Sequence, residues 1–221
     1  FVNTLGMKFV PVPGTQVLFS VWETRVQDYG AYLKATGQPW TKPDENRGPT
    51  YPAAYLCWIE ANAFCTWLTV KERAEGKLSA EQRYRLPTDE EWSFAVELPA
   101  ETGATPEAKS GKIKGQYPWG KEWPPPAGAG NYRVADDGFE GAAPVGSFQA
   151  NKFGLYDLGG NVWEWCGDLY NTNSEYRVLR GASSFNSESF LLQSSHRVRN
   201  ETSLRDAYYG FRCVLELRPA R

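Results

Sequence analysis

The stretch that decides the fold is residues 154–165, which read GLYDLGGNVWEW. It contains three glycines, two carboxylates and two tryptophans, a composition too irregular for an ordinary strand. Glycine permits backbone conformations in which carbonyl groups point inward, and calcium binds carboxylate and carbonyl oxygens. The stretch therefore predicts a turn suited to a metal ion, without groups typical of catalysis.

Motifs on both sides of this stretch point to a known family. They are NTLGM at 3–7, RLPTDEEW at 85–92, YPWG at 117–120, APVG at 143–146, RGAS at 180–183 and GFR at 210–212. Together with residues 154–165 they resemble the formylglycine-generating-enzyme (sulfatase-modifying factor) family, a branch of the C-type-lectin-like fold. The resemblance runs in order from Asn3 to Val214. It implies an α+β fold with short strands, two to three helices and many ordered loops.

Composition limits the size of the fold and the kinds of partner. The 221 residues are 41% hydrophobic, which fits one domain over 1–221. Because the chain starts at Phe1 without Met or a signal pattern, we expect a piece of a longer chain. The 24 basic and 26 acidic residues give a net charge of −2, so no nucleic-acid partner is expected. No apolar run approaches the roughly 20 residues of a membrane span, so no membrane insertion is expected.

Hydrophobic spacing predicts three helices joined by short strands and loops. Helices are expected from a Thr24/Gln27 capping box to Gly37, over 58–73, and from a Thr88/Glu91 capping box onward. Short strands are expected within residues 10–22 and over 210–217. The proline-rich segments 39–51 and 99–126 are expected to be loops.

The resemblance implies two structural calcium sites. The first takes the side chains of Asp157 and Glu164 and the carbonyl groups of Gly160 and Val162. These carboxylates stand seven residues apart across a glycine turn, which lets them converge with two carbonyls at about 2.3–2.6 Å from an ion. The alternative is that Asp157 and Glu164 only cap turns.

The second implied site takes its ligands from a loop earlier in the chain. They are the side chains of Asn131 and Asp137 and the carbonyl groups of Tyr132 and Phe139. The segment between Asn131 and Asp137 is shorter than in the enzymes, which is a departure from the family pattern.

The catalytic cysteine pair of the family, which binds copper and activates oxygen, has no counterpart. The matching positions after RGAS are Asn186 and Leu191. Neither side chain is a soft ligand for cuprous ion. We therefore expect no copper, no formylglycine-generating reaction and no enzyme.

Other chemistries lack the residues that they need. A related branch, the sulfoxide synthases, uses iron bound by several histidines, and this chain has one, His196. A serine nucleophile would be Ser183, Ser184 or Ser187. The chain offers no second histidine and no G-x-S-x-G turn to support one, so a hydrolase is not expected. The enzymatic alternative left open is an oxidoreductase with relocated metal chemistry, helped by Cys57, Cys166 and His196.

The region where the active site would lie is predicted to be a ligand surface. Its aromatic, serine and asparagine side chains suit adaptable recognition of a protein or peptide. The surface consists of Ser184, Phe185, Asn186, Ser187, His196, Val198, Asn200, Leu204, Asp206, Ala207, Tyr208 and Tyr209.

Two origins of this surface remain open. Variable proteins of this fold in diversity-generating retroelements are mutated at adenines of their C-terminal segment, which excludes Lys, Glu, Gln, Met and Trp, and the surface residues fall within the allowed set. The alternative is a degenerate family member, such as an accessory sensor domain of a bacterial protein kinase.

The four cysteines lack the spacing of a zinc site. By resemblance, Cys65 and Cys213 stand where family members form a disulfide between an early helix and the last strand. The alternative is two buried free thiols. Scaffold roles are expected for Trp92, Trp163, Trp165, Phe211, Arg85 and Arg212.

Overall fold

The computed structural model describes residues 1–40, 48–134, 137–173 and 175–217. Within these residues, the chain forms two small sheets, helices near the N-terminal half and long ordered connections. The elements are β1 (Phe9–Pro11), β2 (Val17–Ser20), α1 (Val26–Thr36), α2 (Trp58–Ala74), β3 (Arg83–Arg85), α3 (Asp89–Ala95), α4 (Pro106–Lys109), β4 (Trp163–Leu169), β5 (Arg177–Arg180), β6 (Val198–Asn200), β7 (Tyr209–Gly210) and β8 (Val214–Glu216).

A short buried segment is one of the connections between the two four-stranded sheets. The first sheet has the order β1-β2-β8-β3 and is antiparallel. The second has the order β6-β5-β4-β7, in which β4 and β7 run parallel and pair Glu164 with Gly210. Between β7 and β8 the chain crosses from one sheet to the other through Phe211, Arg212 and Cys213, all fully buried. A guanidinium group is therefore carried into the space between the sheets.

The helices pack on the first sheet through an aromatic cluster. Tyr29 and Tyr32 of α1 meet Phe64 of α2 at ring-centre distances of 6.0 and 5.9 Å, and Phe64 contacts Phe211 at 5.5 Å. Such rings bury large apolar areas and favour tilted geometries. The hydrophobic spacing that predicted these two helices therefore corresponds to their buried faces.

Helix boundaries follow local capping chemistry. The predicted α3 start is confirmed, because Glu91 N–H donates to the Thr88 hydroxyl at 3.1 Å and Thr88 N–H donates to Glu91 at 2.8 Å. The Thr24/Gln27 capping box is wrong. Arg25 is the N-cap residue of α1, and Asp28 accepts its N–H at 3.0 Å. Thr24 is buried and its N–H donates to the Phe211 carbonyl, so it belongs to the sheet side of the boundary.

Two further expectations need correction. The segment 99–126 contains α4, which begins with Pro106 at its first turn and is capped by the Thr105 hydroxyl. Proline suits this position because its missing N–H would have no partner there. The expected strand over 210–217 is broken into β7 and β8, since the chain changes sheets at Phe211–Cys213. Residues 41–47 of the predicted loop 39–51 lie outside the described residues.

All four cysteines are buried free thiols, so the Cys65–Cys213 disulfide is not formed. Their Sγ atoms lie 3.5 Å apart, in contact but beyond bonding distance. Burial raises the pKa of the Cys65 thiol well above its ordinary value, which keeps the thiol protonated. Among the described residues, no helix has the length and apolar character needed to cross a membrane.

Candidate metal and ligand-binding site

The turn before β4 contacts the loop that carries the second predicted calcium site. We call residues 157–164 the first loop and residues 131–139 the second loop. Gly160 forms a β-bridge with Asn131 and donates its N–H to the Gly181 carbonyl at 2.9 Å. Its φ is 79°, and a Cβ atom there would lie 2.2 Å from the Asn131 carbonyl oxygen. Only glycine fits where the two loops meet.

The structure gives the two carboxylates of the first loop different surroundings. Both oxygens of Glu164 accept hydrogen bonds from the Arg212 guanidinium at 2.6–2.9 Å, and one also accepts from the Trp92 indole at 2.9 Å. Asp157 accepts the Gly146 N–H at 2.7 Å. Glu164 is thus half of a buried ion pair, whereas Asp157 is held by a backbone amide.

A third carboxylate, Glu23, lies beside this pair. Burial raises the pKa of Glu23 well above its ordinary value, and the Asp157 and Glu164 carboxylates raise it further. Burial also raises the pKa of Asp157 to about 6. Arg212 opposes both shifts. The cluster therefore holds three acidic groups against one guanidinium, a net charge of −2 when all three are ionised.

Glu23 was not predicted from the sequence as a member of this cluster. It stands between Trp22 and Thr24 just before α1, where a single acid in an apolar stretch has no distinctive spacing. Its burial became evident only with the fold, because the residues that surround its carboxylate come from residues 157–164 and from Arg212. The available signal was a carboxylate between the strands expected within residues 10–22 and the helix expected to start at Thr24.

The residues of the first loop fit a calcium ion by donor type and by charge. Calcium prefers carboxylate and carbonyl oxygens, and a divalent ion would balance the excess of buried negative charge. In the described part of the chain, no group of three or more His, Cys, Asp or Glu side chains is arranged to hold a metal ion. An ion here would therefore need carbonyl oxygens, as the implied set of Asp157, Glu164, Gly160 and Val162 supplies.

The second loop closes on itself through the residues implied for its site. Asp137 accepts the N–H groups of Tyr132 and Phe139, each at 3.0 Å. The Asn131 amide donates to the Gly141 carbonyl at 2.8 Å. These contacts bring the four predicted residues together, although Ala135 and Asp136 between them lie outside the described residues.

A cavity of about 380 Å³ joins the second loop to the predicted ligand surface. Phe185 and Tyr208 stack across it with ring centres 5.1 Å apart, and the Arg133 guanidinium lies 4.9 Å from the Phe185 ring centre. Ser184 is only 7% exposed, and its hydroxyl has no hydrogen-bond partner among the residues that the structure describes. Burying a hydroxyl without a hydrogen-bond partner costs free energy. This cavity is where the predicted surface has such a hydroxyl. We call it the Ser184 pocket.

The rest of the predicted surface divides into exposed and packed members. Except for Ser184, its residues are at least partly exposed. Asn200 donates to the Tyr209 hydroxyl at 2.8 Å, which ties β6 to β7. His196 packs between the rings of Trp163 and Phe190. Burial and the nearby Arg180 and Arg197 lower the pKa of His196 to about 4, so this imidazole is neutral near pH 7.

Asn186 and Leu191, the positions expected from the motif resemblance to correspond to the catalytic cysteines, make structural contacts. The Asn186 amide oxygen accepts the N–H and the hydroxyl of Ser183, both at 2.9 Å. Leu191 packs against the larger hydrophobic core. Cys57 and Cys166 are buried in different elements, at the N-cap of α2 and within β4.

Two small sheets linked by long ordered loops, with a glycine turn before a central strand, define an α+β domain. The family model described as "Sulfatase-modifying factor enzyme 1-like domain" matches residues 2–217. The chain belongs to this family.

Relatives include enzymes and a protein named as inactive. The chain is 35% identical to "Inactive C-alpha-formylglycine-generating enzyme 2" of Bos taurus over 74% of its length, and 30% identical to "Formylglycine-generating enzyme" of Thermomonospora curvata over 92%. It spans 50% and 69% of these relatives. It is also 30% identical, over 74% of its length, to "Serine/threonine-protein kinase pkn1" of Chlamydia caviae, of which it spans 24%.

Solved structures share the fold. PvdO from Pseudomonas aeruginosa superposes with a TM-score of 0.69 at 23% identity, covering 96% of this chain and 92% of PvdO. Treponema denticola variable protein 1 gives a TM-score of 0.68 at 18% identity, covering 96% and 95%. These likenesses confirm the predicted fold class.

Proposed function

We propose that this domain is a non-catalytic module that binds a protein or peptide ligand through the predicted C-terminal surface. The carrying observation is the Ser184 pocket, which lies beside the position of the first catalytic cysteine and combines stacked aromatic rings with an unsatisfied hydroxyl. Aromatic anchors with nearby polar groups are typical of recognition surfaces. Asn186 and Leu191 supply no thiol chemistry. Relatives named as inactive, and a variable protein of the same fold, support this assignment.

We also propose that calcium stabilises this module at one or both loops. The first ion would be held by Asp157, Gly160, Val162 and Glu164, and the second by Asn131, Tyr132, Asp137 and Phe139. Calcium bound there supplies positive charge and fixes loop carbonyls. The support is the net charge of the Glu23–Asp157–Glu164–Arg212 cluster and the closed hydrogen bonding of the second loop.

Selection from a random peptide library tests the binding function. Peptides recovered on the domain should lose at least about tenfold in affinity on Phe185→Ala, since central aromatic anchors contribute about 2 kcal/mol or more. Phe1→Ala is the matched control, because Phe1 is 50% exposed and Phe185 is 52% exposed, and Phe1 lies outside the predicted surface. Peptides insensitive to Phe185→Ala, or a library without binders, would contradict the proposal.

A chemical assay tests the absence of catalysis. With copper and oxygen supplied, mass spectrometry of a cysteine-containing sulfatase-type peptide should show no conversion to formylglycine. Conversion above the level without protein would overturn the non-catalytic assignment.

A second candidate function is a sensor domain within a protein kinase chain. It is favoured by the similarity to the chlamydial kinase, in which the match occupies a quarter of the length. Sequencing the flanking DNA separates the candidates. A kinase domain in the same reading frame supports the sensor, whereas a reverse transcriptase with an adenine-altered near-copy of the segment for residues 184–209 supports a retroelement-diversified binder.

A further inference from the structure

Asn161 occupies the point where the two loops and the ligand surface meet. It is 1% exposed and adopts a left-handed backbone conformation with φ of 59°. Asparagine tolerates this conformation better than most residues. A buried amide in such a position can reach neighbours on several sides, and here every polar group of the residue has a partner.

The side chain of Asn161 connects the two loops. Its Nδ2 donates to Glu23 at 2.6 Å, within the acidic cluster of the first loop. Its Oδ1 accepts from the Asn131 amide of the second loop at 3.3 Å. The Asn161 side chain also pairs with the backbone of Ala143. It accepts the Ala143 N–H at 2.8 Å and donates to the Ala143 carbonyl at 3.3 Å. The amide therefore contacts Glu23, Asn131 and Ala143, which belong to three separate segments of the chain.

The backbone of Asn161 extends the connection to the ligand surface. Its N–H donates to the Asn131 carbonyl at 2.9 Å, and its carbonyl accepts the Ser184 N–H at 3.0 Å. Asn161 also lies between Gly160 and Val162, whose carbonyls belong to the implied ligand set of the first loop. Fixing those carbonyls on an ion would fix Asn161, and with it Asn131 and Ser184.

We propose that Asn161 is a positioning residue that couples the two calcium loops, so that an ion in one raises the affinity of the other, and that it holds Ser184 in register with both. This inference rests on the calcium binding proposed above. Groups outside the ligand set that orient it commonly determine metal affinity, and coupling between two sites is reciprocal.

Calcium titration by calorimetry, on protein stripped with a chelator, measures the coupling. Asp157→Asn and Asp137→Asn each remove one loop's carboxylate. With Asn161 intact, removing either should lower calcium affinity at the remaining loop by at least about fivefold, the lower end of typical coupling. In an Asn161→Gly background, Asp157→Asn or Asp137→Asn should change the calcium affinity of the remaining loop less than about twofold. Glycine keeps the left-handed backbone but lacks the amide.

Two further variants distinguish a loss of coupling from a general loss of stability. Asn161→Asp keeps the shape but loses the donor to Glu23, and it should also abolish coupling. Asn3→Ala is the control, because Asn3 is a buried amide that accepts the N–H groups of Leu5 and Met7 and contacts neither loop. Coupling should survive this change.

Hydrogen exchange supplies a readout independent of affinity. Calcium should slow exchange of the Ser184 amide in the wild-type domain and leave it unchanged in Asn161→Gly. Two independent sites in the wild type, or coupling that persists in Asn161→Gly, would overturn the inference while leaving calcium binding intact. Titrations without any binding heat would overturn calcium binding itself and the coupling with it.

Discussion

At the scale of single residues, Arg212 places its guanidinium beside the buried carboxylates of Glu23 and Glu164 and the half-buried carboxylate of Asp157. Its guanidinium bonds to both oxygens of Glu164 and to the Tyr156 carbonyl at 2.8 Å. Removing one partner of a buried ion pair leaves an uncompensated charge. The stability of the fold should therefore depend on this side chain more than on any surface arginine.

Arg212→Met should lower the free energy of unfolding by about 3–5 kcal/mol, the usual loss for a broken buried pair. Chemical denaturation measures it. Arg83→Met is the control, because Arg83 pairs with Glu216 but has a side chain that is 54% exposed. That change should cost less than about 1 kcal/mol. Equal losses in the two variants would contradict the assignment of Arg212 as the central cation.

His196 should titrate far below the ordinary histidine range. Burial, Arg180 and Arg197 lower its pKa to about 4 from an ordinary value near 6.5. The unfolded chain then binds this proton at a higher pH than the native domain. The contribution of His196 to stability is fully present above about pH 6.5 and is lost as the pH falls toward 4.

Proton NMR can check this directly, because the chain has a single histidine. The imidazole resonance should shift with a midpoint near pH 4, unless unfolding intervenes first. His196→Gln should flatten the decline in stability between pH 6.5 and 4. A midpoint near 6.5 would show that the imidazole is solvated rather than packed between Trp163 and Phe190.

At the scale of elements, the turn before β4 depends on contact between two loops. Gly160 and Gly154 both have φ of 79°. A Cβ on Gly160 would meet the Asn131 backbone, whereas one on Gly154 would meet nothing within 4 Å. The two glycines therefore separate the cost of a left-handed backbone from the cost of pushing the loops apart.

Gly154→Ala should cost about 1 kcal/mol, the penalty of the left-handed conformation. Gly160→Ala should cost a further 1–3 kcal/mol, about the range for overpacking. Thermal and urea unfolding of the pair measure the difference. Indistinguishable variants would mean that the loops can separate freely.

β4 itself begins with a tryptophan that anchors it in the core. Trp163 is 6% exposed, so Trp163→Ala should lower the free energy of unfolding by about 3–5 kcal/mol. Trp123→Ala is the comparison, since Trp123 is 41% exposed on a loop. A thermal melt that is unchanged by Trp163→Ala would refute the scaffold role.

The elements that could be predicted from sequence are those with local signals. The Thr88/Glu91 cap and the apolar period of α2 identified their helices, because capping and periodicity depend on neighbours in the chain. The start of α1 was displaced because Thr24 pairs with Phe211, a contact that no local pattern encodes. Glu23 and Asn161 escaped notice for the same reason, since their partners come from distant segments. The implied calcium residues and most of the ligand surface rest on motif resemblance, and their binding remains a prediction.

At the scale of the whole molecule, the loops and the ligand surface form one continuous region. The Ser184 pocket borders the second loop, and the second loop touches the first through Asn131 and Gly160. The same region receives Glu23 from the start of the chain and Arg212 from its end. Binding of an ion to the loops should therefore increase the stability of the entire domain.

Calcium should raise the melting temperature of the domain relative to the chelator-treated protein. A ligand that binds only the native state stabilises by about 2.7 kcal/mol when its concentration is a hundred times the dissociation constant. The stabilisation should exceed that given by equimolar magnesium, which demands stricter octahedral geometry and gives up its waters reluctantly. Differential scanning calorimetry in chelator, calcium and magnesium measures it.

Carboxylate variants connect this stabilisation to particular loops. Asp157→Asn should reduce the calcium-dependent shift, and because it also removes a negative charge from the cluster of Glu23, Asp157 and Glu164, it should stabilise the metal-free domain above pH 6. Asp137→Asn should reduce the shift without that gain, since Asp137 lies outside the acidic cluster. A calcium shift that survives both substitutions would place the ion elsewhere. Absence of any calcium-dependent shift in the wild type would contradict the proposal that calcium stabilises the domain, because the charge of the cluster would then be balanced without an ion.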